Sequence, residues 1–308
     1  MKPQSGASGG GARHMLAAAF FFSVMSLFVK LAGRRLPTSE IVLVRSAVML
    51  IMAYLLMRRA GVLPWGVRKS ILIVRGVVGF CALMCFFYAV TKLPLADVSA
   101  IHFTNPVFTA VLAAVFLHES MRRREAAGLL LNLVGVALVA QPEFLFGAGA
   151  RNLDLSAVLL ALAASLLSAG AYTTIRKLGE TEHHLVIVFY FALVSTVGAA
   201  PLVAGRAVAP TLSEWGLLAG IGVVTLLAQI ALTQGLHRER AGKAVSIGYA
   251  QVVFAGIWGF IFFGDRPNGL SLAGAALILV GLLMVAGVAS ESQPVNRWNG
   301  RSDSATMR

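Results

Sequence analysis

Apolar stretches of about twenty residues alternate along the chain with short polar breaks. A helix rises 1.5 Å per residue, so about 20 apolar residues cover the roughly 30 Å hydrocarbon core of a bilayer. The pattern predicts spans at 14–32, 39–57, 70–91, 95–117, 124–141, 154–175, 185–204, 214–235, 243–263 and 270–288. Between them lie charges and helix-ending residues, as at Arg58-Arg59, Lys92-Leu93-Pro94, Arg122-Arg123-Arg124 and Asp265-Arg266-Pro267. The fold class is therefore all-α, a polytopic membrane protein of ten transmembrane helices. Residues 1–13 and 289–308 are rich in small and polar residues, and are expected to be disordered. The first span is too long for a signal peptide, lacks an Ala-x-Ala cleavage pattern and stops at Lys30.

Composition agrees with this pattern. The chain is 58% hydrophobic, its mean hydropathy is +0.81, and 13% of its residues are charged, where a soluble domain carries about a quarter. So much apolar surface requires lipid as solvent. A net charge of +13 often signals nucleic acid. Here the basic residues fall between apolar runs and form no stripe with interleaved aromatics, so no nucleic-acid partner is expected. They set topology instead. With both termini on one side, that side holds 17 lysines and arginines and the other 7, leaving out Arg45 and Arg75 inside spans. The positive-inside rule then places both termini in the cytoplasm and the chain in the cytoplasmic (inner) membrane. Cys81 and Cys85 lie one helical turn apart with no histidine or carboxylate beside them, which reads as packing, and no metal or cofactor is implied.

The chain also repeats itself. Gly128 and Gly135 recur as Gly274 and Gly281, each 146 residues on. The same offset carries Phe108 to Phe254, Phe116 to Phe262, Glu119 to Asp265, Lys30 to Arg176 and Gly76-Val77-Val78 to Gly222-Val223-Val224. Residues 14–141 thus form a first five-helix repeat and 154–288 a second. Five is odd, so the second repeat enters the membrane from the opposite side. Such inverted repeats are typical of secondary transporters with a site near the midplane.

The stretch from Tyr88-Ala89-Val90-Thr91-Lys92-Leu93-Pro94-Leu95-Ala96-Asp97 through Asn105-Pro106-Val107-Phe108 to Leu117-His118-Glu119 resembles the fourth-span signature of the EamA family of the drug/metabolite transporter superfamily. Gly128 to Gly135 with Val139-Ala140 resembles its fifth span, and Gly264-Asp265 with Gly274 and Gly281 its second copy. Lys30, Glu40 and Arg45 resemble its first two spans. The resemblance covers about residues 14–288 and implies ten helices, an inverted repeat and export or exchange of a small metabolite.

The fourth and ninth spans hold the candidate site. His102, Asn105 and Thr109 share one face of a continuous helix. Pro106 has no N–H to give and frees the carbonyl of His102. The offset sends Asn105 to Gln251, an amide answering an amide, and Leu112 to Trp258. Val252 stands where the first copy has Pro106, so the halves are expected to kink unequally. A polar cleft between them would use Asn105 and Gln251 for hydrogen bonds to solute, with Tyr88, Tyr172, Tyr249 and Trp258 as walls. The competing reading is that the amides only hold helices together, each for about 0.6 kcal/mol. Arg45 and Arg75 lie about 9 Å inside their spans, where they either snorkel or meet solute. Lys30, Glu40 and Arg45 are expected near one surface as a compensating cluster. More buried cations than anions favours an anionic or zwitterionic solute.

Glu119 and Asp265 sit at equivalent helix ends, where a helix dipole would favour them. Glu180, Glu182, His183 and His184 read as a solvated turn in preference to a metal site. No HExxH, Gly-x-Ser-x-Gly or P-loop pattern is present, so no catalytic residues are assigned and the chain is expected not to be an enzyme. A lipid-modifying intramembrane enzyme and a non-transporting helical scaffold are the alternatives. The expected partners are a small-molecule solute, the lipid bilayer and a second copy of the chain in a homodimer.

Overall fold

The computed structural model describes residues 10–93, 95–146, 154–204, 207–264 and 266–286. Most of the residues expected to be disordered, and Asp265, lie outside these. The first half contains α1 (Gly10–Ala32), α2 (Thr38–Arg59), α3 (Lys69–Lys92), α4 (Leu95–His102), α5 (Asn105–Leu117) and α6 (Arg123–Ala140). After a short helix α7 (Glu143–Phe146), the second half contains α8 (Leu155–Leu178), α9 (His184–Val203), α10 (Leu212–Arg238), α11 (Ala241–Ile247) and α12 (Ala250–Trp258). A π-helical turn Gly259–Phe263 extends α12, and α13 (Gly269–Ala286) follows.

Eight of the resulting segments are long and apolar enough to cross a bilayer, counting α4–α5 and α11–α12 as one each. α6 and α13, with 18 residues each, supply the ninth and tenth crossings. Large apolar side chains such as Ile51, Leu55, Val111, Val115, Leu279 and Leu283 are exposed on the outside, where lipid is their solvent. Polar groups that lipid would not solvate point inward, among them Ser46, Thr109, Asn132, Thr225 and Gln229. The ends are capped from within the chain. Asp154 accepts from the amides of Ser156 and Ala157 at 3.0 and 3.4 Å, and the Ser156 hydroxyl holds its carboxyl below the usual carboxylate range.

Helix pairing displays the inversion. α6 packs on α13, α2 on α9, α1 on α10 and α3 on α8, so each contact joins a helix to a helix of the other half. A Cβ on Gly128 would stand 2.8 Å from the carbonyl oxygen of Gly281, and one on Gly135 would stand 2.7 Å from that of Gly274. As the number rises along α6 it falls along α13. These two equivalent helices are antiparallel, as halves of opposite orientation require. Gly76 abuts Val194 and Gly222 abuts Val48, a second pair of contacts exchanged by the offset of 146 residues. Self-complementary exchange of this kind is the mark of a two-fold axis.

The difference between Pro106 and Val252 does not decide whether a span breaks. Both the fourth and the ninth span are interrupted, at Phe103–Thr104 and at Gly248–Tyr249. Without a proline, the ninth span breaks by tightening: the amides of Gly248 and Tyr249 bond three residues back, to Val245 and Ser246, at 2.9 and 3.4 Å. Those of Gln251 and Val252 do the same to Gly248 and Tyr249, at 3.0 Å each. Glu182 is also corrected, since it is buried and its carboxylate accepts from the amides of Val67 and Arg68 at the start of α3. It is a long-range cap, and among the described residues no group of three metal-ligating side chains forms.

Because the α6–α13 contact has no room for a side chain, Gly135→Val should destabilise the protein by about 1–3 kcal/mol through overpacking. Thermal unfolding in detergent should show a lowered midpoint, and Val at the open position Gly216, which meets nothing within 4 Å, should leave it unchanged.

Candidate functional site

The two interruptions face each other across a cavity of about 50 Å³. The first half supplies Phe103, Asn105 and Pro106 from the fourth span, with Met15, Ala18, Ala19 and Phe22 from α1. From the second half come Val245, Gly248, Tyr249 and Gln251, with Tyr172 from α8 and Leu232 from α10. A water needs about 10–15 Å³ on this measure, so a few waters fit and a metabolite enters only when helices part.

Asn105 and Gln251, equivalent by the repeat, line this one cavity. Asn105 is 6% exposed, and its side-chain oxygen has no hydrogen-bond partner. Both stand at the start of half-helices, α5 and α12, where the backbone dipoles present their positive ends. Tyr249 is 1% exposed and donates from its hydroxyl to the carbonyl of Phe103 at 2.7 Å. Phe103 is its own counterpart 146 residues earlier, and the two ring centroids are 6.0 Å apart. The pseudo-two-fold axis therefore runs between them. The carbonyl of His102, freed by Pro106, accepts from the Ser165 hydroxyl at 3.3 Å.

Other expected residues fall elsewhere. The break turns His102 away from Asn105; its ring lies 4.8 Å from that of Phe86, and its Nδ1 is unpartnered. Thr109 is fully buried and donates to the Asn105 carbonyl at 2.8 Å, which removes it from the cavity wall. Trp258 donates to the Ser23 hydroxyl at 2.9 Å and packs on Phe20 and Phe262. Tyr88 is exposed at the periphery. Of the four aromatic candidates, Tyr172 and Tyr249 reach the cavity.

Arg45 and Arg75 are buried, at 6% and 2% exposure. Arg45 Nη1 lies 3.8 Å from the sulfur of Met25, and its Nε has no partner. Arg75 Nη2 is 3.5 Å from the Gln229 side-chain oxygen, its guanidinium covers Phe191 at 4.5 Å, and its Nε and Nη1 are unpartnered. Among the described residues no ion pair joins Lys30, Glu40 and Arg45: Glu40 accepts from the Val208 amide at 3.0 Å, and Lys30 stands 3.8 Å over the ring of Phe263. The α1 residues and Gln229 were not singled out in the sequence. The spacing of Met15, Ala18, Ala19 and Phe22 along one face was the signal available.

On the face where α1 begins and α13 ends, ion pairs tie the halves together. Arg176 donates to Glu119 at 2.8 Å and to the carbonyls of Leu236 and His237 at 3.3 and 2.8 Å. Glu119 also accepts from the Ala241 amide at 2.8 Å, so it caps α11 and not the helix that follows it. Arg240 pairs with Glu125.

A ten-helix inverted repeat around a small central cavity with a few convergent polar groups is the architecture of a class of membrane transporters. The EamA-like transporter family model matches residues 10–141 and 155–287, and the chain belongs to that family. It is 38% identical over 270 residues to the pseudopaline exporter CntI of Pseudomonas aeruginosa, covering 87% of this chain and 93% of that protein. It is 29% identical to human solute carrier family 35 member G1, covering 90% of this chain and 79% of that protein. One crystal structure shares the fold with a TM-score of 0.80 at 17% identity, covering 91% of this chain and 97% of that one. The protein is a multi-pass membrane transporter.

Tyr249→Phe removes the hydroxyl that joins the two breaks and leaves the Phe103 carbonyl without that donor. Bonds of this kind inside membrane proteins average about 0.6 kcal/mol and reach about 1.7. A lowered unfolding midpoint in detergent is expected, and an unchanged midpoint would show that the bond between the breaks carries no stability.

Proposed function

We propose that this chain is a secondary transporter that exports or exchanges a small metabolite by alternating access, with Asn105 and Gln251 binding the solute at the centre. The observation that carries the reading is the pair of equivalent interrupted spans lining one cavity with equivalent amides. Interrupted backbone at membrane depth is tolerated where it is buried in protein or lines a wet path. In transporters built from inverted repeats, such discontinuous helices hold the substrate. An unpartnered amide oxygen in a cavity is costly unless a ligand or water donates to it.

Two similar halves of opposite orientation can exchange conformations. Whatever one half does at one face, the other then does at the opposite face. In this structure the Glu119–Arg176 and Glu125–Arg240 pairs close the terminal face, and they are the contacts that opening there must break. The 17-to-7 distribution of basic residues supports cytoplasmic termini in the inner membrane. The likeness to a protein named as an exporter supports outward movement. Without a P-loop, an ion gradient, the solute gradient or a counter-solute supplies the drive.

The test is flux in proteoliposomes, screened with radiolabelled amino acids, nucleosides and carboxylic acids. Asn105→Ala and Gln251→Ala should each lower transport of the active solute about two- to tenfold, the worth of one neutral hydrogen bond at about 0.5–1.5 kcal/mol. Both proteins should remain folded and inserted. Wild-type flux in both would return the amides to a packing role. Product formation without flux would point to an enzyme, and neither would point to a scaffold.

A further inference from the structure

We propose that Arg45 and Arg75 are paired anion stations, one in each half of the bilayer, which receive the carboxylate of an organic anion in turn as the transporter alternates. This rests on the transport reading above and names its substrate class.

Both guanidiniums are more than nine-tenths buried, and both keep donor nitrogens without a protein partner. Cations at such depth are costly and seldom kept without compensation. The acid expected to compensate Arg45, Glu40, is engaged by the Val208 amide instead. Among the described residues, Arg75 meets an aromatic face and the oxygen of a neutral amide and no carboxylate. A guanidinium with free donors is suited to a bidentate carboxylate.

Their placement follows the repeat. α2 enters from the face opposite the termini and α3 from the terminal face, so Arg45 and Arg75 lie about 10 Å and 9 Å inside opposite surfaces at 1.5 Å per residue. Phe191 stands 146 residues after Arg45 and is therefore its structural equivalent. The Arg75 guanidinium sits 4.5 Å from the centroid of that ring. The second half lacks an arginine at this position, and Arg75 brings its charge to the matching place from another helix. The pseudo-two-fold axis thus relates two cationic groups that do not align in sequence.

Neither lines the central cavity itself, but each adjoins an element that does. Met25, which Arg45 touches, continues the α1 face formed by Met15, Ala18 and Phe22 in the cavity wall. Arg75 lies within electrostatic reach of Tyr172, another wall residue. Between the stations, the starts of α5 and α12 present two positive dipole ends to the cavity. At the same breaks α4 and α11 finish with their negative dipole ends, so the preference for an anion rests on the two arginines.

The test uses full-length protein with Cys81 and Cys85 replaced by Ser, carrying Met25→Cys beside Arg45 or Gln229→Cys beside Arg75, in oriented membrane vesicles. The probes are the membrane-impermeant thiol reagents MTSES, an anion, and MTSET, a cation. Met25→Cys should label only from the face opposite the termini, and Gln229→Cys only from the terminal face. In each, MTSES should react about tenfold faster than MTSET, at the low end of electrostatic focusing in a charged cleft, and adding Arg45→Gln or Arg75→Gln should abolish that preference. No labelling of either folded variant, labelling of either from the wrong face, or faster reaction with MTSET would overturn the proposal. If a cysteine variant does not fold, residue-resolved mass spectrometry of wild-type protein treated with p-hydroxyphenylglyoxal replaces it. Adducts at both arginines support the stations, and their absence while Arg34 and Arg59 are modified refutes them. Labelling does not depend on flux, so a chain that labels as expected yet moves no solute would sink the transport reading and leave the stations standing.

Discussion

Peptide groups at the centre of a bilayer have no water to bond, and the two interrupted spans expose such groups at the same depth. How these groups are satisfied shapes the rest of the structure. The Phe103 carbonyl is met by the Tyr249 hydroxyl from the opposite half. The carbonyls of His102 and Ile101 take up the hydroxyls of Ser165 and Thr104, at 3.3 and 2.6 Å. The second half thus helps to complete the first half's backbone, and Asn132 of the first half donates to the Ser246 carbonyl beside the second break at 3.4 Å. Lipid would offer neither donor.

The same requirement explains why glycines and small residues concentrate where the halves touch. Bringing the breaks together demands close approach at the outer contacts, and the antiparallel α6–α13 pair achieves it with Gly128, Gly135, Gly274 and Gly281 against one another's carbonyls. α6 and α13 thus act as a fixed seam at the edge of the bundle. The cavity lies between α1, α8, α10 and the interrupted spans, and the ion pairs at its terminal side are the breakable contacts. Close-packed interfaces favour discrete arrangements over continuous deformation, which suits the proposed opening of one face at a time.

Much of this architecture was legible in the sequence. Hydropathy marked the spans to within a few residues, because each must match the bilayer thickness. The offset of 146 residues exposed the inversion, because equivalent packing keeps equivalent glycines. The meeting of Asn105 with Gln251 on one cavity followed from that symmetry. Less legible was whatever depends on local hydrogen bonding. Thr109 shares a face with Asn105 on paper, yet its hydroxyl turns to the Asn105 carbonyl. The ninth span lacks a proline, and its break arises from a run of bonds to the third residue back around Gly248. Glu182 looked like part of a solvated turn because the amides it caps lie more than a hundred residues earlier. The match between Arg75 and the place of Arg45 crosses two different helices, so no alignment of the halves reveals it.

The central claim is that two inverted halves exchange conformations about the joined breaks, so that the faces open in opposition. Double electron–electron resonance in nanodiscs measures this most directly, with spin labels at Ser120 and Lys177 on the terminal face and, separately, at Arg34 and Arg266 on the other. The account predicts two distance populations for each pair, and a condition that lengthens the first distance must shorten the second. A single unchanging distance at both faces, or lengthening at both together, would contradict it.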